Sequence, residues 1–83
     1  MRLLYFGWVR TRIGIGSETL ELPSGITDVR ALMNWLKERG DGYRVAFEDL
    51  TTIRVAINQE MATLDASISP EDEVALFPPM TGG

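Results

Sequence analysis

Eighty-three residues with neither cysteine nor histidine leave room for one small core, and they exclude disulfides, thiolate metal sites, iron–sulfur ligation and any imidazole- or thiol-based catalytic arrangement within the chain. Twelve acidic against eight basic residues give a net charge of −4, and the basic residues form no stripe that could follow a phosphate backbone, which argues against nucleic acid. No apolar run approaches membrane-spanning length, so the chain reads as a soluble cytoplasmic protein that does not catalyse alone.

From Leu3 to Val9 the residues are almost all aromatic or aliphatic, which predicts a first strand, and the following "RTR" without a small-residue cleavage site reads against a signal peptide. Arg10 to Gly16 supplies two glycines and a turn. Ser17 to Leu22 alternates, Leu20 and Leu22 against Thr19 and Glu21, and predicts a second strand antiparallel to the first. Pro23 to Gly25 breaks it. Thr27 then offers a side-chain oxygen as N-cap, with Asp28 in the first helical turn.

Val29, Leu32, Met33 and Leu36 recur at i, i+3, i+4 and i+7, the apolar stripe of a helix of about three turns. Gly40 is expected to end it in the left-handed conformation. Residues 41–51 carry no legible periodicity, although Val45, Phe47 and Leu50 could cover an end of the core. Ile53, Val55 and Ile57 alternate with Arg54, Ala56 and Asn58 and predict a strand that ends at "NQE", with Met61 to Leu64 pairing back. "SPED" turns the chain, and "EVALF" forms a last strand stopped by Pro78. The order is two strands, one helix, then two or three strands: a single α+β domain over residues 1–83.

One helix covers one face of a four- or five-stranded sheet, so the other face should be polar. It is not. In the first predicted strand Leu3, Tyr5 and Val9 point one way and Leu4, Phe6 and Trp8 the other; in the last, Val74 and Leu76 alternate with Ala75 and Phe77. Either the 41–51 segment caps Phe6, Trp8 and Phe77, or a partner protein does. Burying Phe6, Met61 and Phe77 contributes on the order of 2 kcal/mol each, against an association cost of roughly 4–15 kcal/mol, so a useful complex needs a further contribution.

The ending "FPPMTGG" can supply it. Pro78 and Pro79 hold the backbone extended, and residues 78–83 form an arm that reaches on the order of 20 Å. Gly82 and Gly83 have no Cβ, so Met80, Thr81 and the glycines can thread a narrow channel and present the terminal carboxylate to an enzyme. Activated as an acyl-adenylate, that carboxylate becomes open to sulfur or nitrogen nucleophiles.

"LYFGWVRTRIG", the Thr27 to Leu36 helix, "VAINQE" and above all "DEVALFPPMTGG" resemble the MoaD-type sulfur carriers, the small subunits of molybdopterin synthase in the ubiquitin-like β-grasp family, over nearly the whole chain. The resemblance implies a mixed sheet with one main helix packed on one face. It implies that Gly83 is adenylated, with ATP used by an E1-like, MoeB-type activating enzyme, and then made a thiocarboxylate with sulfur from a donor protein. It further implies insertion into a MoaE-type large subunit within a hetero-tetramer and transfer of sulfur to cyclic pyranopterin monophosphate. Gly82 and Gly83 match the channel and sulfur-bearing glycines. Phe6, Met61 and Phe77 match docking positions, and Arg10 matches a basic residue after the first strand. Thr11 stands where a glutamate is frequent, and Trp8 where a smaller or polar residue is usual. No cofactor or metal is implied for this chain itself. A carrier for thiamine thiazole synthesis and a ubiquitin-like modifier joined to lysines through Gly83 remain alternatives, as does a plain interaction module with an inert tail.

Overall fold

The computed structural model describes residues 1–79; Met80, Thr81, Gly82 and Gly83, the distal part of the expected arm, lie outside the described residues. Five strands, β1 (Arg2–Tyr5), β2 (Ser17–Thr19), β3 (Arg54–Ile57), β4 (Glu60–Ala62) and β5 (Glu73–Phe77), form one mixed sheet in the order β2-β1-β5-β3-β4. The first and last strands lie side by side in parallel, Leu3 beside Val74 and Tyr5 beside Leu76, while every other pairing is antiparallel. With the three α-helices of the described residues, α1 (Gly7–Ile13), α2 (Val29–Leu36) and α3 (Asp41–Ala46), this is the ubiquitin-like β-grasp arrangement.

The predicted α2 stripe holds: Val29, Leu32, Met33 and Leu36 are fully buried. They pack with Leu3, Tyr5, Val55, Val74 and Leu76 in one core. Both ends of the helix differ from the sequence expectation. Asp28 rather than Thr27 is the N-cap, its carboxylate accepting the Ala31 N–H at 2.8 Å, a stronger acceptor than a hydroxyl for the exposed first-turn amides. At the other end the chain runs through a 3₁₀ turn, Lys37–Arg39, and Gly40 is extended at φ 162°, not left-handed.

The first predicted strand is cut short. β1 ends at Tyr5, and Gly7–Ile13, expected as strand and turn, is helical. Gly7 sits at φ +58°, which no extended strand accommodates, and from there Val9 and Ile13, four residues apart, turn one face of α1 to the core. Gly14 closes the helix at φ 98° with its N–H on the Arg10 carbonyl at 2.8 Å. β2 is likewise shorter than expected, Ser17–Thr19 alone; beyond it Leu20 still exchanges two hydrogen bonds with Met1, its N–H donating to the Met1 carbonyl and its carbonyl accepting from the Met1 amino group, each at 3.0 Å, and Leu20 and Leu22 pack against the core.

The illegible 41–51 segment becomes α3 and a second 3₁₀ turn, Leu50–Thr52. It covers the core end with Ala46 and Phe47, both buried, and with half-buried Leu50, whereas Val45 stays exposed. α3 lies so close on α1 that a Cβ at Gly42 would stand 2.6 Å from the Arg12 carbonyl oxygen. No helix among the described residues is long and apolar enough to cross a membrane.

Candidate functional site

The packed face of the sheet uses alternate residues of each strand, so the intervening ones lie on the open face. Register places Leu4 of β1, Ala75 of β5, Ala56 of β3 and Met61 of β4 in one row across four strands. A neighbouring row sets Phe77 beside Arg54, and Phe6 extends it from β1, its N–H donating to the Leu76 carbonyl at 3.2 Å. On the opposite side of the apolar row stand Thr19, Arg2 and Glu73, which are polar. The open face thus carries an apolar strip bounded by charge, and Phe6 and Met61 on it are 49% and 66% exposed. Capping by residues 41–51 does not occur there, because α3 packs on α1 and the core end instead.

The strip runs into the stem of the expected arm. Phe6, Gly7, Phe77, Pro78 and Pro79 line a shallow, almost wholly apolar groove of about 340 Å³. Pro78 follows directly on β5 and lies against Gly7: a Cβ on that glycine would stand 2.6 Å from Pro78 Cγ and 2.9 Å from Cδ. Phe77, Pro78 and Pro79 are half-buried by these contacts.

Not every candidate joins this surface. Trp8 was expected on the open face beside Phe6, but it belongs to α1 and packs half-buried against the core, with the Arg12 guanidinium carbon 4.3 Å above its ring. Its neighbour across Gly7, Phe6, is left behind on the sheet because the helix starts between them. Arg10 is exposed on the same helix, its guanidinium lying over Gly16, where a Cβ would come within 3.1 Å of it.

Sequence reasoning missed one polar cluster. Glu18 of β2 accepts hydrogen bonds from the Tyr5 hydroxyl at 2.8 Å, the Tyr43 hydroxyl at 2.7 Å and Arg39 at 2.9 Å. Arg39 also spreads over the Tyr43 and Trp35 rings at 5.1 and 5.5 Å, and the two tyrosines meet edge to face. Burial pushes the Glu18 carboxyl up, but the three donors outweigh it and hold it below its ordinary value of 4.5. Burial and the Glu18 charge push the Tyr43 phenol up to about 12, and raise Tyr5 further. Among the described residues no group of acidic side chains is placed to hold a metal ion, and this cluster, with both tyrosine hydroxyls donating to Glu18, ties the edge strand β2 to α3. Trp35, Arg39 and Tyr43 follow one another at four-residue intervals, but Tyr5 and Glu18 lie far from them in sequence and no spacing links the two parts.

A sequence model described as the ThiS family matches residues 3–83. The chain is 32% identical over its whole length to the molybdopterin synthase sulfur carrier subunit of Haemophilus influenzae, covering 99% of that protein. Its fold matches a putative molybdopterin converting factor subunit 1 from Pyrococcus furiosus with a TM-score of 0.73 at 27% identity, covering 95% of each chain. It also matches the Haloferax volcanii small archaeal modifier protein 1 with a TM-score of 0.72 at 25% identity, over 96% of this chain and 97% of that one. A full-length match in sequence, a matching fold and an apolar sheet face that meets the Phe-Pro-Pro stem lead to one conclusion: the chain belongs to the ThiS family, alongside the molybdopterin synthase sulfur carrier subunits.

Proposed function

We propose that this chain carries sulfur on the carboxyl group of Gly83 for molybdopterin synthesis. An E1-like adenylyltransferase of the MoeB type joins that carboxylate to the α-phosphate of ATP and releases pyrophosphate. A sulfide equivalent from a donor protein then attacks the acyl carbon and displaces AMP, leaving a thiocarboxylate. Docked on the MoaE-type large subunit in a hetero-tetramer, the arm delivers its sulfur to cyclic pyranopterin monophosphate and returns as a carboxylate. The chain binds no cofactor of its own, ATP belongs to the activating enzyme, and the cycle runs in the cytoplasm.

The observation that carries this reading is the continuity of the apolar strip with the Pro78–Pro79 stem. A surface that docks and an arm that reacts are useful together only when adjacent, because docking then raises the local concentration of the reacting group. Intact-mass measurement after incubation with ATP, the activating enzyme and a sulfur donor tests it: the mass should rise by the exchange of one oxygen for sulfur. No mass change overturns the proposal. Ladders of this chain on other proteins would favour the modifier reading, which the likeness to the Haloferax volcanii protein supports, and thiamine synthesis that depends on the thiocarboxylate would favour the thiazole pathway.

A further inference from the structure

We infer that Gly7 is a positioning residue for the arm: its bare backbone is the seat on which Pro78 rests, and this seat fixes the direction in which the chain leaves the sheet. The inference rests on the sulfur-carrier reading for its consequence, though not for its geometry. Two independent features of Gly7 converge. Its φ of +58° is a conformation that L side chains adopt at a cost, and the space where a Cβ would go is filled by a rigid ring, with Pro78 Cγ 2.6 Å and Cδ 2.9 Å away. A proline ring cannot swing aside as a long side chain would, so any side chain at residue 7 must displace Pro78 itself.

The seat is held from both sides. Phe6, just before it, is fastened to β5 by its N–H on the Leu76 carbonyl at 3.2 Å. The first turn of α1 after it is fastened by the Arg10 N–H on the Phe6 carbonyl at 3.3 Å and by the Thr11 hydroxyl on the Gly7 carbonyl at 3.3 Å. Displacement therefore falls on Pro78 and Pro79, whose groove Gly7 helps to line.

Gly14, at the other end of α1, provides the control. It too has positive φ, 98°, but a Cβ there would meet nothing within 4 Å. Gly7→Ala and Gly14→Ala thus both put a side chain on a backbone with positive φ, and only the first meets Pro78. In ATP-dependent adenylation by the activating enzyme, Gly7→Ala should raise KM for the carrier roughly three- to tenfold with kcat nearly unchanged, since a misdirected arm must be reordered on binding. Gly14→Ala should leave KM as it is. Pro78→Ala removes the ring atoms in conflict, so adding Gly7→Ala to it should change KM little.

Equal KM shifts for the two glycine variants, or an undiminished Gly7→Ala effect in the Pro78→Ala background, would overturn the assignment. NMR cross-peaks between the Gly7 Hα and Pro78 ring protons, present in the wild type and lost in Gly7→Ala, read the seat without enzyme. If they appear while no variant or wild type is adenylated, the carrier reading fails and the seat stands; if they are missing from the wild type, the seat fails.

Discussion

The two faces of the sheet are built from similar residues and meet different fates. Leu3, Tyr5, Val55, Val74 and Leu76 are at most 1% exposed beneath the helices, whereas Leu4, Ala75, Ala56 and Met61 form a row on the other side with Phe77 in the next row, and Met61 there is 66% exposed. A sheet with one helical layer normally turns polar residues to water. The difference teaches that alternation in a strand assigns residues to faces, while only the supply of covering elements decides which face is core. Here the helices are used up on one side and the open face stays apolar, the surface that the proposed function gives to the large subunit.

The largest effect that separates the faces involves neither core. Deleting Gly83 should abolish sulfur loading in the intact-mass assay while the melting temperature stays within error, because the packed face is untouched. A loaded truncated chain would break the division of labour between body and arm.

Leu76 and Phe77 are chain neighbours on opposite faces, and they give the sharpest contrast inside the sheet. Leu76→Ala removes a fully buried side chain and should cost about 2–5 kcal/mol in denaturant unfolding, the usual sum of lost transfer energy and residual cavity. Phe77→Ala should cost at most about 1 kcal/mol of stability, yet weaken binding to the large subunit by roughly 2 kcal/mol, some thirtyfold, as loss of an apolar anchor does. Isothermal titration reads the second and a urea curve the first. If the two substitutions exchanged effects, the assignment of faces would be wrong.

Met61→Ser sharpens the comparison further along the row. At 66% exposure it should move stability by no more than about 0.5 kcal/mol and reduce large-subunit affinity by several-fold, less than Phe77→Ala because Met61 lies at the strip's far edge from the stem.

How much of this was legible followed from where the determining interaction lies. The α2 stripe, β3 and β5 were readable because local period and burial agree in them, whereas β4, expected over Met61–Leu64, is Glu60–Ala62 and buries no residue that would fix its register in the sequence; the apolar open face was readable because alternation alone exposes it. Residues 7–13 were misread because "GWVRTRI" carries the aromatic and branched content of a strand, and what decides against one is the single positive φ at Gly7. Trp8 was carried to the wrong surface by the same error. Residues 41–51 were opaque because α3 has only six residues, too few to show a period, and it is helical through contact with α1 and the Lys37–Arg39 turn. The seat between Gly7 and Pro78 joins positions 71 residues apart, the distance between their numbers, and no local pattern announces it.

The Glu18 cluster makes the smallest prediction and tests the packed side from its edge. Because hydrogen bonds from Tyr43, Tyr5 and Arg39 overcome desolvation and depress its carboxyl below 4.5 in the folded chain, the folded state binds a proton there less readily than the unfolded one. Stability from this group is therefore fully present above the ordinary glutamate range and is lost as pH falls through the depressed value. Glu18→Gln keeps the shape and removes the charge. It should cost on the order of 1 kcal/mol near neutral pH, and the gap between wild type and variant should close as pH falls below the ordinary glutamate range and through the depressed value. Asp72, depressed by hydrogen bonds from Asn58 and the Ser69 backbone, titrates in the same direction in both proteins and cancels in the difference. Because the cluster binds β2 to α3 rather than serving the open face, large-subunit affinity should not change in Glu18→Gln at neutral pH; a parallel fall in affinity would show that the edge strand and the docking strip are one mechanical unit.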